Sequence, residues 1–275
     1  MKPQSIDFTL WSRFCASERN EYMTVKELYT KFAQRIPDEL RESWDNDGLM
    51  CSADTSAEVR RVLVALDVTE EIVDYAIQYG FDLIVSHHPL IFKPLGSLTE
   101  ENHISRKVIK LLCTGVSVFS FHTRADKVYG GVNDCLCDLL GMFDTVPFGD
   151  DGLGRIGNIS EECELEDFAY RVKQLTASDG VRYADGFNPV HRVAIVGGGG
   201  KSYVRAAIAE GADTFVSGDI GYNVMEEAPE MGINLIEAGH YFTEQPVTDF
   251  FRELLVNFDP DLYVEVAPSN IVKIL

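Results

Sequence analysis

Apolar residues recur along this chain in two alternating rhythms. Short β-branched-rich runs of strand length give way to stretches where apolar positions return every three or four residues, the spacing of a helix with one buried face. The first clear helix opens at a Thr24-x-x-Glu27 capping box and continues as VKELYTKFAQRI. Val62–Val68 reads as a strand, Thr69 as the N-cap of the helix EEIVDYAIQY, and Gly80 as the residue that ends it. FDLIVS is the next strand and runs into His87-His88-Pro89. Strand, helix and strand in this order predict a parallel pair buried on both faces. A helix near Ile104–Thr114, closed by Gly115, then leads to the strand VSVFSFH, which ends at His122.

From Val193 the pattern restarts: strand VAIV, a glycine run, helix SYVRAAIAE, Gly211, strand TFVS, a helix, Gly232, strand INLIEA, then Gly239-His240. Residues 145–192 read less regularly, with one clear helix, ELEDFAYRVKQL. The two regular stretches align without gaps at a shift of 131 residues, which carries Val62 onto Val193, Gly80 onto Gly211, Asp82 onto Asp213 and Ser86 onto Ser217. We read this self-similarity as an internal duplication. The expectation is an α/β fold of two similar lobes with a site in the cleft between them. The first lobe covers 1–145 with the N-terminal helix, and the second covers 146–275, the boundary falling within 140–192.

Composition narrows the function classes. At 275 residues the chain can bury one large core or two modest ones. A net charge of −20 argues against tracking a nucleic-acid backbone, which needs a basic groove, and favours cations instead. The N-terminal leader MKPQSIDFTLWSRF lacks the apolar stretch of a secretory signal, and no run is long enough to span a bilayer. The expected location is cytoplasmic, which favours free thiols over bridges for the six cysteines. Cys135 and Cys137, two apart on a helix, do not share a face and are expected to be buried thiols rather than joint ligands.

In parallel α/β sheets, ligands collect at the carboxyl ends of strands. Three such places here carry chemistry: His87-His88, His122 with Asp126, and His240 with Glu244. Histidine and carboxylate together suit Zn, Mn, Fe, Ni or Co. Three histidines and two carboxylates (His87, His88, Asp126, His240 and Glu244) exceed the three protein ligands of an open catalytic zinc, so two divalent ions are expected. Pro89 ends the strand and lets both neighbouring imidazoles turn toward one cleft. His122 is read as an outer partner of a ligand, and His103 and His191, without companions, as surface or core residues. The loop Gly197–Ser202 ends in Gly-Lys-Ser but fails the phosphate-loop pattern, which needs glycine where Ile195 stands. A tight turn and an anion cradle both remain open readings there.

The segments Trp44-Asp45-Asn46-x-Gly48-Leu49, SHHPLIF (Ser86–Phe92), His122-Thr123-x-x-Asp126, GGVND (Gly130–Asp134), Gly218-Asp219-Ile220 and Gly239-His240-Tyr241-x-Thr243-Glu244 together resemble the NIF-three-like dinuclear-metal-centre family, also called GTP cyclohydrolase I type 2 homologs. The resemblance implies that the same five residues hold two metals between two α/β lobes, and that the protein is a toroidal homohexamer, a trimer of dimers. Arg124 departs from the family's usual asparagine, and Asn223 from a histidine found in many members. What the departures put in question is the substrate pocket. Two functions follow: a metal-dependent hydrolase acting on a small molecule such as a nucleotide, as in GTP cyclohydrolase-like ring opening, or a non-catalytic metal-binding assembly or regulatory protein.

Overall fold

The computed structural model describes residues 22–274, so the leader and Cys15 lie outside the described residues. Its strands run in chain order as β1 (Gly48–Cys51), β2 (Arg61–Ala65), β3 (Leu83–Ser86), β4 (Ser117–Ser120), β5 (Phe143–Phe148) and β6 (Gly154–Cys163). They continue as β7 (Arg182–Ala184), β8 (Val190–Val196), β9 (Thr214–Ser217), β10 (Asn234–Glu237) and β11 (Tyr263–Val266). Two sheets result, ordered β1-β4-β3-β2-β11 and β5-β6-β8-β9-β10-β7.

The strands legible in the sequence form the parallel centres of these sheets. In the first, β11, β2, β3 and β4 are parallel, and every residue of β3 and β4 is buried. Alternate residues serve opposite faces: Val62, Val64, Leu83 and Val85 join a core with the helices Val25–Arg35 and Val247–Phe258. Leu63, Ala65 and Ile84 join another with the helices Glu70–Gln78 and His103–Thr114. This two-sided burial makes the strands read as continuous apolar runs. In the second sheet β8, β9 and β10 are parallel.

The edges differ from expectation. β1, β5 and β7 at the edges, and β6 just inside β5, all pair antiparallel and had no counterpart in the sequence. Their alternation is broken, as in β5, where five of six residues are not buried. The C-terminal segment also needs correction. It was placed with the second lobe, yet β11 pairs with β2, Tyr263 opposite Arg61 and Val266 opposite Val64. The physical reason is twofold. The helix Val247–Phe258 buries Val247, Phe251 and Leu255 against Phe32 and Phe121 of the first core. β11 in turn takes up the backbone hydrogen bonds that β2 would otherwise leave open.

The two halves repeat in register as well as in sequence. Val62 lies opposite Leu83, and Val193 opposite Thr214, the same offset at a shift of 131. Asp82 Oδ2 accepts from the amides of Arg60 and Arg61 at 2.8 and 2.9 Å, and Asp213 Oδ2 accepts from those of His191 and Arg192 at 3.0 and 2.6 Å. Cys51, Cys113, Cys135, Cys137 and Cys163 are free thiols, Cys137 buried. No helix of the described residues is long and apolar enough to cross a membrane.

Candidate metal centre

The carboxyl ends of the central strands of both sheets converge. Asp67 follows β2, His87 and His88 follow β3, and His122 and Asp126 follow β4; Asp219 follows β9, and His240 and Glu244 follow β10. Three local devices turn the His87-His88 pair inward. The His88 amide donates to Leu66 O at 3.0 Å, and Ser86 Oγ donates to His88 O at 3.0 Å. Pro89 then stops the ladder. As a result the two imidazole centroids lie 5.0 Å apart on one side of the strand end, as expected from the sequence.

Each imidazole of the cluster is held by its Nδ1. That atom lies 2.9 Å from Phe121 O in His87, 2.7 Å from Asp67 Oδ1 in His88, 2.9 Å from Asp45 Oδ1 in His122 and 2.7 Å from Asp219 Oδ2 in His240. Carbonyl and carboxylate oxygens only accept, so Nδ1 carries the proton in all four and Nε2 is the atom left to face the cluster. The oxygens fix ring orientation and tautomer as outer partners do at metal-ligating histidines.

Three sets of atoms come within 4.8 Å of one another and could hold an ion: His87, Asp126 and Glu244; His88, His240 and Glu244; and His87, His88 and His122. All five residues singled out in the sequence are therefore together, and His122 is with them. His103 and His191 are exposed and belong to none of these sets.

The chemistry of the donors fits a cation. His87 Nε2, Asp126 Oδ1 and Glu244 Oε2 are buried and without a hydrogen-bonding partner, although they crowd one another. Nε2 of His88 and of His240 lie 3.0 and 3.2 Å from Glu244 Oε2, and Nε2 of His87 lies 3.6 Å from Asp126 Oδ1. Ligands bound at ~2.1 Å around a tetrahedral ion stand about 3.4 Å apart, so the spacing suits a shared ion. Gly198 keeps the opposite wall clear: at φ +62°, a Cβ there would fall 1.9 Å from Glu244 Oε1. The glycine run thus behaves as a close-packed turn, its Gly197, Gly198 and Gly200 amides donating to Asn133, Thr243 and Ser217.

Electrostatics describe the same site. Burial pushes Asp126 well above the ordinary carboxylate range, and the negative Glu244 beside it pushes further. For Glu244 burial acts the same way, but the surrounding imidazoles outweigh it and hold the acid well below that range. Burial lowers His87 to about 4. Burial also works to lower His88, but Asp67 and Glu244 prevail and raise it to about 10. His240 rises to about 9, chiefly through the Glu244 carboxylate 3.2 Å away. Asp126 is thus held toward its neutral form, while Glu244 keeps its charge beside His88 and His240, whose protons a divalent cation can displace.

Arg124 does not line the cluster. It is fully buried, its Nε donating to Asp47 Oδ2 at 3.0 Å, its Nη1 bonded to Ile36 O and Asp38, and its guanidinium 4.8 Å from the Phe121 ring centre. Asn223 lies in an adjoining cavity of about 680 Å3, with Lys201 and Arg205, that shares Gly199 and Ser202 with the metal-side cavity. Neither departure lines the metal-side cavity of about 360 Å3, which Trp44, His122, Asp126, Tyr203, His240 and Glu244 help to form. The orienting residues Asp67 and Ser269 were not found in the sequence. For Asp67 the signal was a carboxylate just past a strand end; for Ser269 there was none.

The profile of the Duf34/NIF3 (NGG1p interacting factor 3) family matches residues 23–273. A GTP cyclohydrolase 1 type 2 homolog from Lactococcus lactis is 36% identical over 242 residues, covering 86% of this chain and 93% of its own. One from Clostridium perfringens is 34% identical over 232 residues, covering 82% and 88%. The crystal structure of a Bacillus cereus protein related to NIF3 superposes with a TM-score of 0.83 at 24% identity over 93% of this chain and 99% of that one, a likeness of fold. The chain belongs to the Duf34/NIF3 family.

Proposed function

We propose that this protein is a hydrolase built on a dinuclear divalent metal site. The observation that carries the reading is that two three-residue groups, His88 with His240 and His87 with Asp126, share one buried carboxylate, Glu244. A shared carboxylate is the usual bridge between two ions. Zn, Mn, Fe, Ni and Co all suit this donor set. When bound, the ions supply Lewis acidity that acidifies water toward neutral pH and polarises an electrophilic centre. The chain's own residues then divide the remaining work. Asp67, Asp219 and Phe121 O hold the imidazoles in place, and His122, oriented by Asp45, is placed to move a proton at its Nε2. The name borne by the relatives points to ring-opening hydrolysis of a purine nucleotide, with formate leaving, as one such reaction. The matched registers of β2–β3 and β8–β9 favour an origin by duplication, with the site in the cleft between the halves.

A turnover screen of the metal-loaded protein against nucleotides, phosphodiesters and short peptides tests the enzyme reading. We expect activity that Asp126→Asn abolishes. Absence of turnover with every metal, or turnover indifferent to that change, leaves a non-catalytic metal-binding assembly. We further propose a homohexamer, a trimer of dimers; light scattering giving the 30.7 kDa monomer at micromolar concentration refutes it.

A further inference from the structure

One side chain joins the two sheets where the candidate ligands converge. The helix Val132–Leu140 is shared between their cores: Val132 packs in a core of the first sheet, and Leu136, Cys137 and Leu140 pack in one of the second. Asn133, the residue after Val132, is fully buried. Its Nδ2 donates to Asp126 O at 3.2 Å and to Leu153 O at 2.9 Å, and its Oδ1 accepts from the Gly197 amide at 2.8 Å. Two of these partners are carbonyls, which only accept, and the third is an N–H, so the orientation of the side-chain amide is fixed. Neither a carboxylate nor an apolar side chain can make the three bonds together.

These bonds reach the backbone on both sides of the cluster. Asp126 belongs to the group of His87, Asp126 and Glu244, and Gly131, where a Cβ would fall 2.0 Å from Ala125 O, lets the helix of Asn133 come this near to it. On the other side, Gly197 leads to Gly198, whose amide donates at 3.0 Å to the hydroxyl of Thr243, the residue before Glu244. A Cβ on Gly197 would fall 3.4 Å from Glu244 Cγ, and one on Gly198 1.9 Å from Glu244 Oε1, so Glu244 lies directly against this turn. His87 and Asp126 follow strands of the first sheet, and Glu244 follows one of the second. The span between Asp126 and Glu244 therefore depends on how the two sheets are held together, and Asn133 holds them at that point.

We infer that Asn133 is a positioning residue of the metal centre: by tying Asp126 to the Gly197–Gly198 turn it fixes the separation of Asp126 and Glu244, and with it the affinity for the ion they share. The inference rests on the metal reading of this site and extends it to a residue that touches no ion.

Asn133→Asp keeps the shape of the side chain and removes both donated bonds. Its control is Asn234→Asp. Asn234 is equally buried and bonded in the same pattern, donating to Asn188 O at 2.8 Å and Thr214 Oγ1 at 3.2 Å and accepting from the Gly186 amide at 2.9 Å, but it opens β10 at the end opposite His240. Zinc is titrated against a chromophoric chelator in the folded fraction of the parent and both variants, with denaturant unfolding of the zinc-free proteins alongside. We expect Asn133→Asp to weaken binding of at least one zinc by about 10- to 100-fold, the range for losing an outer partner, and Asn234→Asp to stay within about threefold of the parent despite its own loss of stability. The parent gives a second reading that needs no variant. Coupling is reciprocal, so zinc must slow hydrogen exchange at the Gly197 amide, bonded to Asn133, more than at the Gly186 amide, bonded to Asn234. The inference is overturned if Asn133→Asp binds zinc as tightly as the parent, if Asn234→Asp weakens zinc equally, or if zinc leaves Gly197 exchange unchanged. Should Asn133→Asp fail to fold, the Gly197 exchange decides. A parent that takes up no zinc refutes the metal reading and this inference with it, whereas a parent that binds zinc beside an insensitive Asn133→Asp refutes this inference alone.

Discussion

Asp67 and Ser269 hold each other across 202 positions of sequence: the Asp67 amide donates to Ser269 Oγ at 3.1 Å, and the Ser269 hydroxyl donates to Asp67 Oδ2 at 3.1 Å. The other oxygen of Asp67 lies 2.7 Å from His88 Nδ1. The C-terminal tail therefore helps to set the orientation of an imidazole in the metal centre. Asp67→Ala should weaken metal binding by about 10- to 100-fold, the usual effect of losing such an outer partner. Ser269→Ala, which leaves the carboxylate in place, should cost less. Competition titration against a chromophoric chelator measures both, and equal or reversed effects contradict the relay.

Ligand substitutions should fall in rank. Glu244 belongs to two of the three three-residue groups, so Glu244→Ala should reduce occupancy at two ions, whereas His240→Ala should spare the group of His87, Asp126 and Glu244. His122→Ala should be mild and His103→Ala silent. Metal content of the four variants, beside circular dichroism for folding, decides the order. An empty site in His122→Ala with a full one in Glu244→Ala reverses the assignment.

The pH dependence has a definite sign. In metal-free protein His88 is raised to about 10 and His240 to about 9, so the folded state holds protons that the unfolded chain releases near pH 6.5. Their stabilisation is complete below pH 6.5 and fades as pH rises through 9 to 10. His87, lowered to about 4, acts oppositely: its contribution is complete above 6.5 and fades as pH falls toward 4. Considering these three groups, chelator-treated protein should melt highest near pH 6.5. Metal binding must displace the two imidazolium protons, so affinity should rise between pH 6 and 9, by up to about tenfold per pH unit for each proton displaced. Thermal melts and metal titrations across pH 5 to 10 check both slopes, and a metal affinity flat with pH contradicts the second.

Arg124 belongs to the fold and not to the pocket. Arg124→Met leaves Asp47 buried with only Arg41, 3.6 Å away, as a cation, although burial already pushes that acid upward. Losing one partner of a buried pair costs about 3–5 kcal/mol. Denaturant unfolding should show a loss of this order, with metal stoichiometry unchanged in the folded fraction. A small loss of stability with altered metal content would place the guanidinium in the site after all.

Much of this protein was legible in its sequence. Strands buried on both faces leave long apolar runs, and helices between them leave caps and terminal glycines, so the parallel centres of both sheets and the residues at their carboxyl ends could be read. His87, His88, Asp126, His240 and Glu244 stand at those ends and meet there. Edge strands such as β5, exposed over much of their length, carry no such pattern. Only the tertiary structure decided three further relationships. The helix Val247–Phe258 and β11 return to the first sheet, because the open edge of β2 and the Phe32–Phe121 core lie there. Asp45, Asp67, Asp219 and the Phe121 carbonyl each take one histidine by Nδ1, which leaves the four Nε2 atoms facing inward. Glu244 serves both ligand groups. Local periodicity reports how a segment divides its residues between core and water. Which oxygen meets which imidazole depends on how the two sheets pack together, and residues far apart in sequence settle that jointly.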